Sequence, residues 1–173
     1  MAITGIPEVI HDFNMYLSGK KLLGITGEVA LPEFEAETAE VSGAGILGTY
    51  ESPMIGRYGS MEQEIPFRVI NESYFKMITP SAPLDLTLRG AIQYTKTANG
   101  AVDYMGMRVI MRGKCKKITP GTVKNGTMES AITLELTYIK IEMDGKVRLE
   151  LDKINPKFKV NNVDLLAKIR KYT

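Results

Sequence analysis

The strongest pattern along the chain is an alternation of apolar and polar residues, which predicts β-strands with one face on a hydrophobic core. An early run has Phe13, Met15 and Leu17 at alternate positions. Two further early runs follow the same rule, and their apolar members are Leu23, Ile25, Val29 and Leu31, then Met61, Ile65, Phe67 and Val69. The chain up to residue 69 therefore predicts three strands.

The region from about residue 84 to 154 has the clearest alternation. Three dipeptides that favour tight hairpin turns divide it, because Asn, Asp and Gly tolerate positive φ: Asn99-Gly100, Asn125-Gly126 and Asp144-Gly145. The strand that begins at Leu84 spans about a dozen residues, longer than the usual five or six. This region predicts a four-stranded antiparallel meander.

The apolar positions change parity within the third meander strand. They are even up to Tyr138 and odd from Ile139 onward. Since a slip of one residue moves every side chain to the opposite face, we expect a β-bulge or bend near these two residues, where the strand passes between sheets or meets a neighbour. The last meander strand has Val147, Leu149 and Leu151 on one face.

Two short helices complete the prediction. One runs from about Glu72 to Ile78, with Asn71 as N-cap and Pro80 after its end; the other runs from about Val163 to Lys171, with Asn162 as N-cap. The predicted fold is mainly β, a barrel or sandwich with an antiparallel meander, plus a short internal helix and a short C-terminal helix. We expect one domain over residues 1–173.

Residues 32–59 show neither the two-residue period of a strand nor the 3.6-residue period of a helix, and they predict a long extended loop. This segment is rich in glutamate before a glycine-rich stretch and also contains Tyr50, Met54 and Ile55. Long loops inside small domains are usually functional or disordered. Its apolar residues favour a segment held by contacts, and a neighbouring subunit is a natural partner.

Composition excludes several classes of protein. The 22 basic and 20 acidic residues give a net charge of +2, without the basic excess of an autonomous nucleic-acid-binding protein. The single cysteine, Cys115, excludes an intrachain disulfide and suits a reducing cytoplasm. The first residues show no export signal, and no apolar run is long enough to predict a membrane anchor.

The residues needed for catalysis or metal binding are few. His11 is the only histidine, and Cys115 continues the apolar face of its strand, so we predict a surface or packing role for the first and a core position for the second. Gly43-Ala44-Gly45-Ile46-Leu47-Gly48 matches the dinucleotide-binding pattern, but no helix is predicted after it. We predict no enzyme activity, no cofactor and no metal.

Four segments resemble the major tail tube proteins of contractile-tailed phages and of phage-tail-like bacteriocins. In chain order they are Val109-Ile110-Met111-Arg112-Gly113, Met143-Asp144-Gly145-Lys146, Leu151-Asp152-Lys153-Ile154-Asn155 and Val160-Asn161-Asn162-Val163-Asp164. Leu31-Pro32 and Gly43-Ala44-Gly45 also look like that family, which is related to the tube protein of type VI secretion. The resemblance covers most of the chain. It rests on the order and spacing of these segments together and not on any one of them.

The resemblance implies a structural subunit that closes into homohexameric rings, which stack into the rigid inner tube of a contractile tail or injection machine. Its partners would then be copies of itself, the tail sheath protein, and baseplate and tail-terminator proteins, with DNA or a tape-measure protein in the lumen without sequence-specific binding. Assembly would take place in the bacterial host cytoplasm, and the mature protein would lie in a phage tail or a released tail-like particle. A DNA-carrying phage and a DNA-free bacteriocin both stay open.

Two surfaces are predicted to carry this assembly. The polar face of the first two long strands is expected to line the lumen or a subunit seam, and its residues are Thr87, Gln93, Thr95, Arg108 and Arg112. The glycine-rich loop is expected to stack rings, through Gly43, Gly45, Gly48, Tyr50, Met54 and Ile55. The alternative function is a monomeric β-sandwich that binds a ligand through its loops.

Overall fold

The computed structural model describes residues 5–79 and 81–173, and within them it is dominated by antiparallel β-structure. The strands are β1 (Gly5–Leu17), β2 (Lys20–Lys21), β3 (Ala36–Val41), β4 (Tyr50–Tyr58), β5 (Glu62–Phe67), β6 (Leu84–Lys96), β7 (Val102–Thr119), β8 (Ser130–Met143), β9 (Lys146–Asp152), β10 (Lys157–Val160) and β11 (Val163–Asp164). The helices are α1 (Glu72–Met77) and α2 (Ala167–Tyr172). The predicted mainly β fold with two short helices is confirmed.

In the described part of the chain, a nine-stranded sheet has the order β11-β10-β9-β8-β7-β6-β1-β2, with β5 also paired to β8. The predicted meander is confirmed as β6 to β9, each paired antiparallel with the next. Asp144 and Gly145 both have positive φ, 50° and 72°, and they form the two-residue turn between β8 and β9. This turn matches the prediction because both central residues of a type I′ turn need positive φ.

The other two predicted turns join the expected strands but are longer. Residues 97–101 form the connection between β6 and β7, closed by a hydrogen bond from Lys96 N to Ala101 O of 2.8 Å. Only Gly100 takes positive φ there, and the Asn99 side chain instead accepts a bond from Ala101 N. Asn125-Gly126 lies within the ten-residue connection 120–129, so the predicted two-residue turn is wrong at both places.

The predicted bulge in the third meander strand lies one residue before Tyr138. Arg112 pairs with Tyr138 but Gly113 pairs with Leu136, which leaves Thr137 without an opposite residue. At this point β8 also changes partner, from β5 before the bulge to β9 after it. The bulge therefore marks the point where β8 passes from β5 to β9 as its second neighbour.

The hydrophobic core lies on one face of this sheet and includes residues of β5, α1 and the C-terminal segment. Its fully buried members include Phe67, Tyr74, Met111, Ile132 and Leu134. Helix α1 has the predicted N-cap, since the Asn71 side chain accepts a bond from Tyr74 N at 3.1 Å. Pro80, predicted to follow the end of this helix, lies outside the described residues.

Three predicted segments differ from the structure. Residues 23–31 form no strand and make only an isolated bridge, Ile25 to Phe67. The predicted extended loop at 32–59 contains an antiparallel hairpin, β3–β4. The C-terminal helix begins at Ala167, because Asn161 and Asn162 both take positive φ and form the β10–β11 turn, so Asn162 is not an N-cap.

Candidate assembly surfaces

The polar face of β6 and β7 turns away from the hydrophobic core, and we call it the outer face. Register places Asp85 opposite Arg112 and Thr87 opposite Ile110, so odd residues of β6 and even residues of β7 share this face. The five predicted lumen or seam residues all lie on it: Thr87, Gln93, Thr95, Arg108 and Arg112. None of the five is buried, and both arginines are exposed. That they face a lumen or a seam stays a prediction.

Arg112 is the centre of a polar chain across four strands. Its Nε donates to Asp85 Oδ2 at 3.1 Å, and its guanidinium carbon lies 4.8 Å from the centre of the Tyr138 ring. The Tyr138 hydroxyl in turn donates to Glu150 at 3.3 Å. Burial and the nearby Glu150 carboxylate raise the pKa of Tyr138 to about 12. These contacts link β6, β7, β8 and β9 on the outer face.

Arg108 takes part in a second charge cluster. Glu142 accepts a hydrogen bond from Arg108 Nε at 2.6 Å and forms an ion pair with Lys140 at 2.9 Å. The Lys140 ammonium group, followed by Arg108, lowers the pKa of Glu142 despite its burial. The sequence did not single out Glu142, although its position two residues from Lys140 in an alternating strand places both on one face. The outer face therefore presents charges that are largely compensated within the subunit.

Gln93 and Thr95 form hydrogen bonds with Glu8, a residue that the sequence pattern did not indicate. Both donate to the Glu8 carboxylate, at 3.0 Å from Gln93 Nε2 and 2.7 Å from Thr95 Oγ1, and these bonds lower the pKa of Glu8. Glu8 lies at a register shift in β1, and His11 lies at a second one. Two bulges within seven residues break the alternation, which is why the first half of β1 gave no strand signal.

A three-stranded arm extends beyond the core. It consists of residues 5–12 of β1, 90–96 of β6 and 102–106 of β7. Several of its apolar side chains are more than half exposed, in contrast with those nearer the core: Ile6, Val9, Ile10, Val102 and Tyr104. Exposed apolar groups in such a cluster indicate a contact surface.

Both edges of this arm are uncovered in the described part of the chain. On one side, β1 pairs with β2 only at Tyr16 and Leu17, and a groove of about 410 Å³ separates its residues 10–15 from residues 22–27. On the other side, the pairing of β7 with β8 begins at Met107. Unpaired backbone groups along strand edges are ready to pair with another chain.

The predicted ring-stacking residues lie in and beside the β3–β4 hairpin. Gly43, Gly45 and Gly48 belong to the connection 42–49, and all three take positive φ. Tyr50, Met54 and Ile55 lie on β4, where Tyr50 and Ile55 are 55% and 61% exposed and Met54 is half-buried. The hairpin forms its own two-stranded sheet, whose only paired strands among the described residues are β3 and β4. That it stacks rings stays a prediction.

The base of the hairpin is attached to the body. The Tyr58 ring packs edge-on against Phe158 at 5.4 Å, and Lys153 Nζ donates to Gly59 O at 2.5 Å. Gly56 has φ of +78°, and a Cβ there would lie 2.7 Å from Leu166 Cδ2. Glycine at this position lets the hairpin bend over the C-terminal segment.

The remaining chemical candidates form no recognisable active site. His11 meets the Tyr104 ring edge-on at 6.0 Å, on the arm. Cys115 is half-buried against the core, and burial raises the pKa of its thiol. The glycine-rich pattern at 43–48 connects two strands and precedes no helix. Among the described residues no group of three or more metal-binding side chains occurs, and no helix is long and apolar enough to cross a membrane.

Comparison with known proteins agrees with the resemblance seen in the sequence. A family model described as phage tail tube protein FII matches residues 7–172. The chain is 31% identical over 172 residues to the tail tube protein of Escherichia phage P2, covering 96% of each chain. It is 26% identical over 152 residues to the major tail tube protein of Serratia phage KSP20, covering 87% of this chain and 85% of that one.

A solved structure has a similar fold. It is the sheath/tube terminator of an extracellular contractile injection system, PVC, in its extended state, with a TM-score of 0.53. The match covers 79% of this chain and 97% of that chain at 16% identity. This likeness bears on the fold alone.

Proposed function

Since the chain belongs to the phage tail tube protein FII family and is a structural tail tube protein, we propose that it closes into homohexameric rings. The rings stack into the rigid inner tube of a contractile tail or injection machine. This tube is the conduit that contraction drives through the target envelope. The protein does its work by assembling with itself, and no residue acts as a catalyst.

The observation that carries this proposal is the pair of uncovered edges on the arm. The outer edge of β1 and the edge of β7 at residues 102–105 lie on opposite sides of the same three-stranded ribbon. When one edge of each copy pairs with the opposite edge of the next, the contact is head-to-tail and a rotation closes it into a ring. Ring closure covers edges that otherwise promote uncontrolled aggregation.

The outer face suits the wall of a conduit. Its polar groups keep the surface wetted, while Arg108 and Arg112 are already engaged by Glu142 and Asp85. Arginines held by carboxylates are less available for strong attachment to phosphates. DNA or a tape-measure protein is thus expected to lie in the lumen without sequence-specific binding.

The hairpin β3–β4 is the proposed contact between rings. An isolated two-stranded hairpin is marginally stable in water, so a partner on its exposed faces adds to its order. Further proposed partners are the tail sheath, baseplate and tail-terminator proteins. We propose that assembly takes place in the bacterial host cytoplasm and that the assembled tube lies in the phage tail or in a released tail-like particle.

Size-exclusion chromatography at increasing protein concentration, followed by negative-stain electron microscopy, tests the proposal. Rings or tubes with a regular axial repeat are the expected result. A protein that stays monomeric at high concentration and forms neither object would contradict it and favour the alternative, a monomeric β-sandwich that binds a ligand.

A further inference from the structure

The charge of the subunit is unevenly distributed between two exposed regions. Residues 33–58, which lead into and form the hairpin, contain five glutamates and one arginine, a net side-chain charge of −4. Residues 153–173 contain six basic residues and one aspartate, a net side-chain charge of +5. The whole chain has a net charge of only +2, so these two regions carry opposite net charges within a nearly balanced protein.

The hairpin holds two carboxylates in an unfavourable arrangement. Glu40 and Glu51 lie directly opposite each other across β3 and β4, and both are exposed. Like charges at such a cross-strand pair, whose Cβ atoms are about 5 Å apart, destabilise a hairpin. The Thr38 hydroxyl donates to Glu51 at 3.1 Å, but no cation pairs with either glutamate among the described residues.

Helix α2 presents a matching arrangement of the opposite sign. Lys168 and Lys171 are exposed and take part in no ion pair within the described residues, whereas Arg170 is engaged by Asp164. Residues three apart on a helix lie on the same side, with Cβ atoms about 5–6 Å apart. The Cβ atoms that carry these two lysine side chains therefore have nearly the same spacing as those that carry the two glutamates on the hairpin.

The geometry points to an acid–base contact between copies, in which Glu40 and Glu51 of one subunit bind Lys168 and Lys171 of another. This inference rests on the proposed function, because it names the surface that receives the stacking hairpin. The contact joins two different patches, so it is head-to-tail, and between stacked rings such a contact repeats along the tube axis. Screening by salt is expected to weaken it, since both patches are exposed.

Charge reversal tests the contact. Glu40→Lys together with Glu51→Lys places like charges against α2, and we expect the fraction of protein in sedimentable tubes to fall about tenfold or more at low salt. Lys168→Glu together with Lys171→Glu is expected to have the same effect. The chain with all four changes restores opposite charges at every contact and is expected to recover tubes.

A matched control keeps the change of net charge and moves it elsewhere. Glu28 and Glu64 are exposed and form no ion pair among the described residues, so Glu28→Lys with Glu64→Lys is expected to leave tube yield unchanged. Circular dichroism of every variant separates misfolding from failed assembly. Recovery in the fourfold variant excludes a folding defect as the cause.

Carbodiimide cross-linking locates the contact directly, because it joins carboxylates and amines that touch. In tubes from a mixture of ¹⁵N-labelled and unlabelled protein, we expect peptides linking Glu40 or Glu51 to Lys168 or Lys171 with mixed labels. Normal tubes from both double variants, or links found only within one label, would overturn the contact and leave the tube proposal standing. Absence of tubes from the unaltered protein contradicts the tube proposal instead.

Discussion

Strands β1, β6 and β7 have a packed end and an uncovered end, and the same alternation of residues has different surroundings at each. At the packed end, Leu86, Val109 and Met111 are fully buried in the core cluster that also contains residues of α1 and β5. At the other end, which is the arm, Val9 and Val102 are more than half exposed. Alternation thus specifies which side chains share a face, whereas burial depends on what else packs on that face. Apolar residues on an uncovered arm are expected to find their cover in another copy.

The largest expected effect compares two methionines on one face of β7. Met111 is fully buried and Met105 is half-buried on the arm. Met111→Ala is expected to lower the free energy of unfolding by about 2–5 kcal/mol, because it leaves a cavity in the core. Met105→Ala is expected to cost the isolated subunit less than about 1 kcal/mol. Urea unfolding of monomeric protein measures both, and equal costs would contradict the division into core and arm.

The second prediction uses proline to separate the two sides of the arm strand. The Gly106 carbonyl accepts a hydrogen bond from Asp144 N, so it points to the side of β7 where β8 lies. Backbone groups of every second residue in a strand point to the same side, so those of Val102 point to this side too, where the edge is uncovered. Val102→Pro is therefore expected to leave subunit stability within about 0.5 kcal/mol while preventing ring formation. The measurement is unfolding of the monomer alongside electron microscopy.

Met105→Pro is the control for that substitution. The backbone groups of Met105 point toward β6, so proline there removes a bond within the subunit and is expected to cost about 1–3 kcal/mol. Rings that form normally from Val102→Pro would exclude this edge from the interface between copies.

The sequence predicted those segments in which apolar and polar residues alternate regularly, and it missed those in which the alternation is interrupted or absent. The meander was predicted because Asp144 and Gly145 favour a tight turn and because long runs alternate cleanly. The first half of β1 was missed since bulges at Glu8 and His11 interrupt its period. Hairpin β3–β4 was missed because both of its faces are largely exposed, so no apolar alternation marks it.

The candidate surfaces were predictable only in part. Parity placed Arg108 and Arg112 on one polar face, and the structure brings both there. No local pattern indicates that Glu8, more than eighty residues away, bonds to Gln93 and Thr95, since that depends on strand order. The uncovered edges were equally hidden, because an edge is defined by the absence of a neighbour in three dimensions.

A third prediction concerns the attachment of the hairpin to the body. Gly56 and Gly45 both take positive φ, but only at Gly56 does an added Cβ meet Leu166. Each substitution by alanine carries the strain of that backbone conformation, and Gly56→Ala is expected to cost about 1 kcal/mol more than Gly45→Ala. Thermal unfolding of the two variants gives this difference. Equal effects would mean that the Leu166 side chain moves aside freely.

The smallest expected effect is electrostatic and lies at the tip of the arm. Hydrogen bonds from the Lys96 ammonium group, then from Tyr104 N and the Tyr94 hydroxyl, lower the pKa of Asp103 to about 2 from its ordinary value of 3.8. Because the folded-state pKa is the lower one, the stabilisation is fully present above the ordinary value and is lost as pH falls through about 2.

Lys96→Met removes the largest cause of that shift. We expect the Asp103 carboxyl resonance to titrate closer to its ordinary pKa in this variant. The measurement is NMR of monomeric protein from about pH 1.5 to about pH 6, a range that includes both pKa values. An unchanged midpoint would mean that the backbone bond and Tyr94 hold the carboxylate by themselves. Glu142 on β8, outside the arm, gives the contrast: it keeps two cationic partners, so Lys96→Met is expected to leave its titration unchanged.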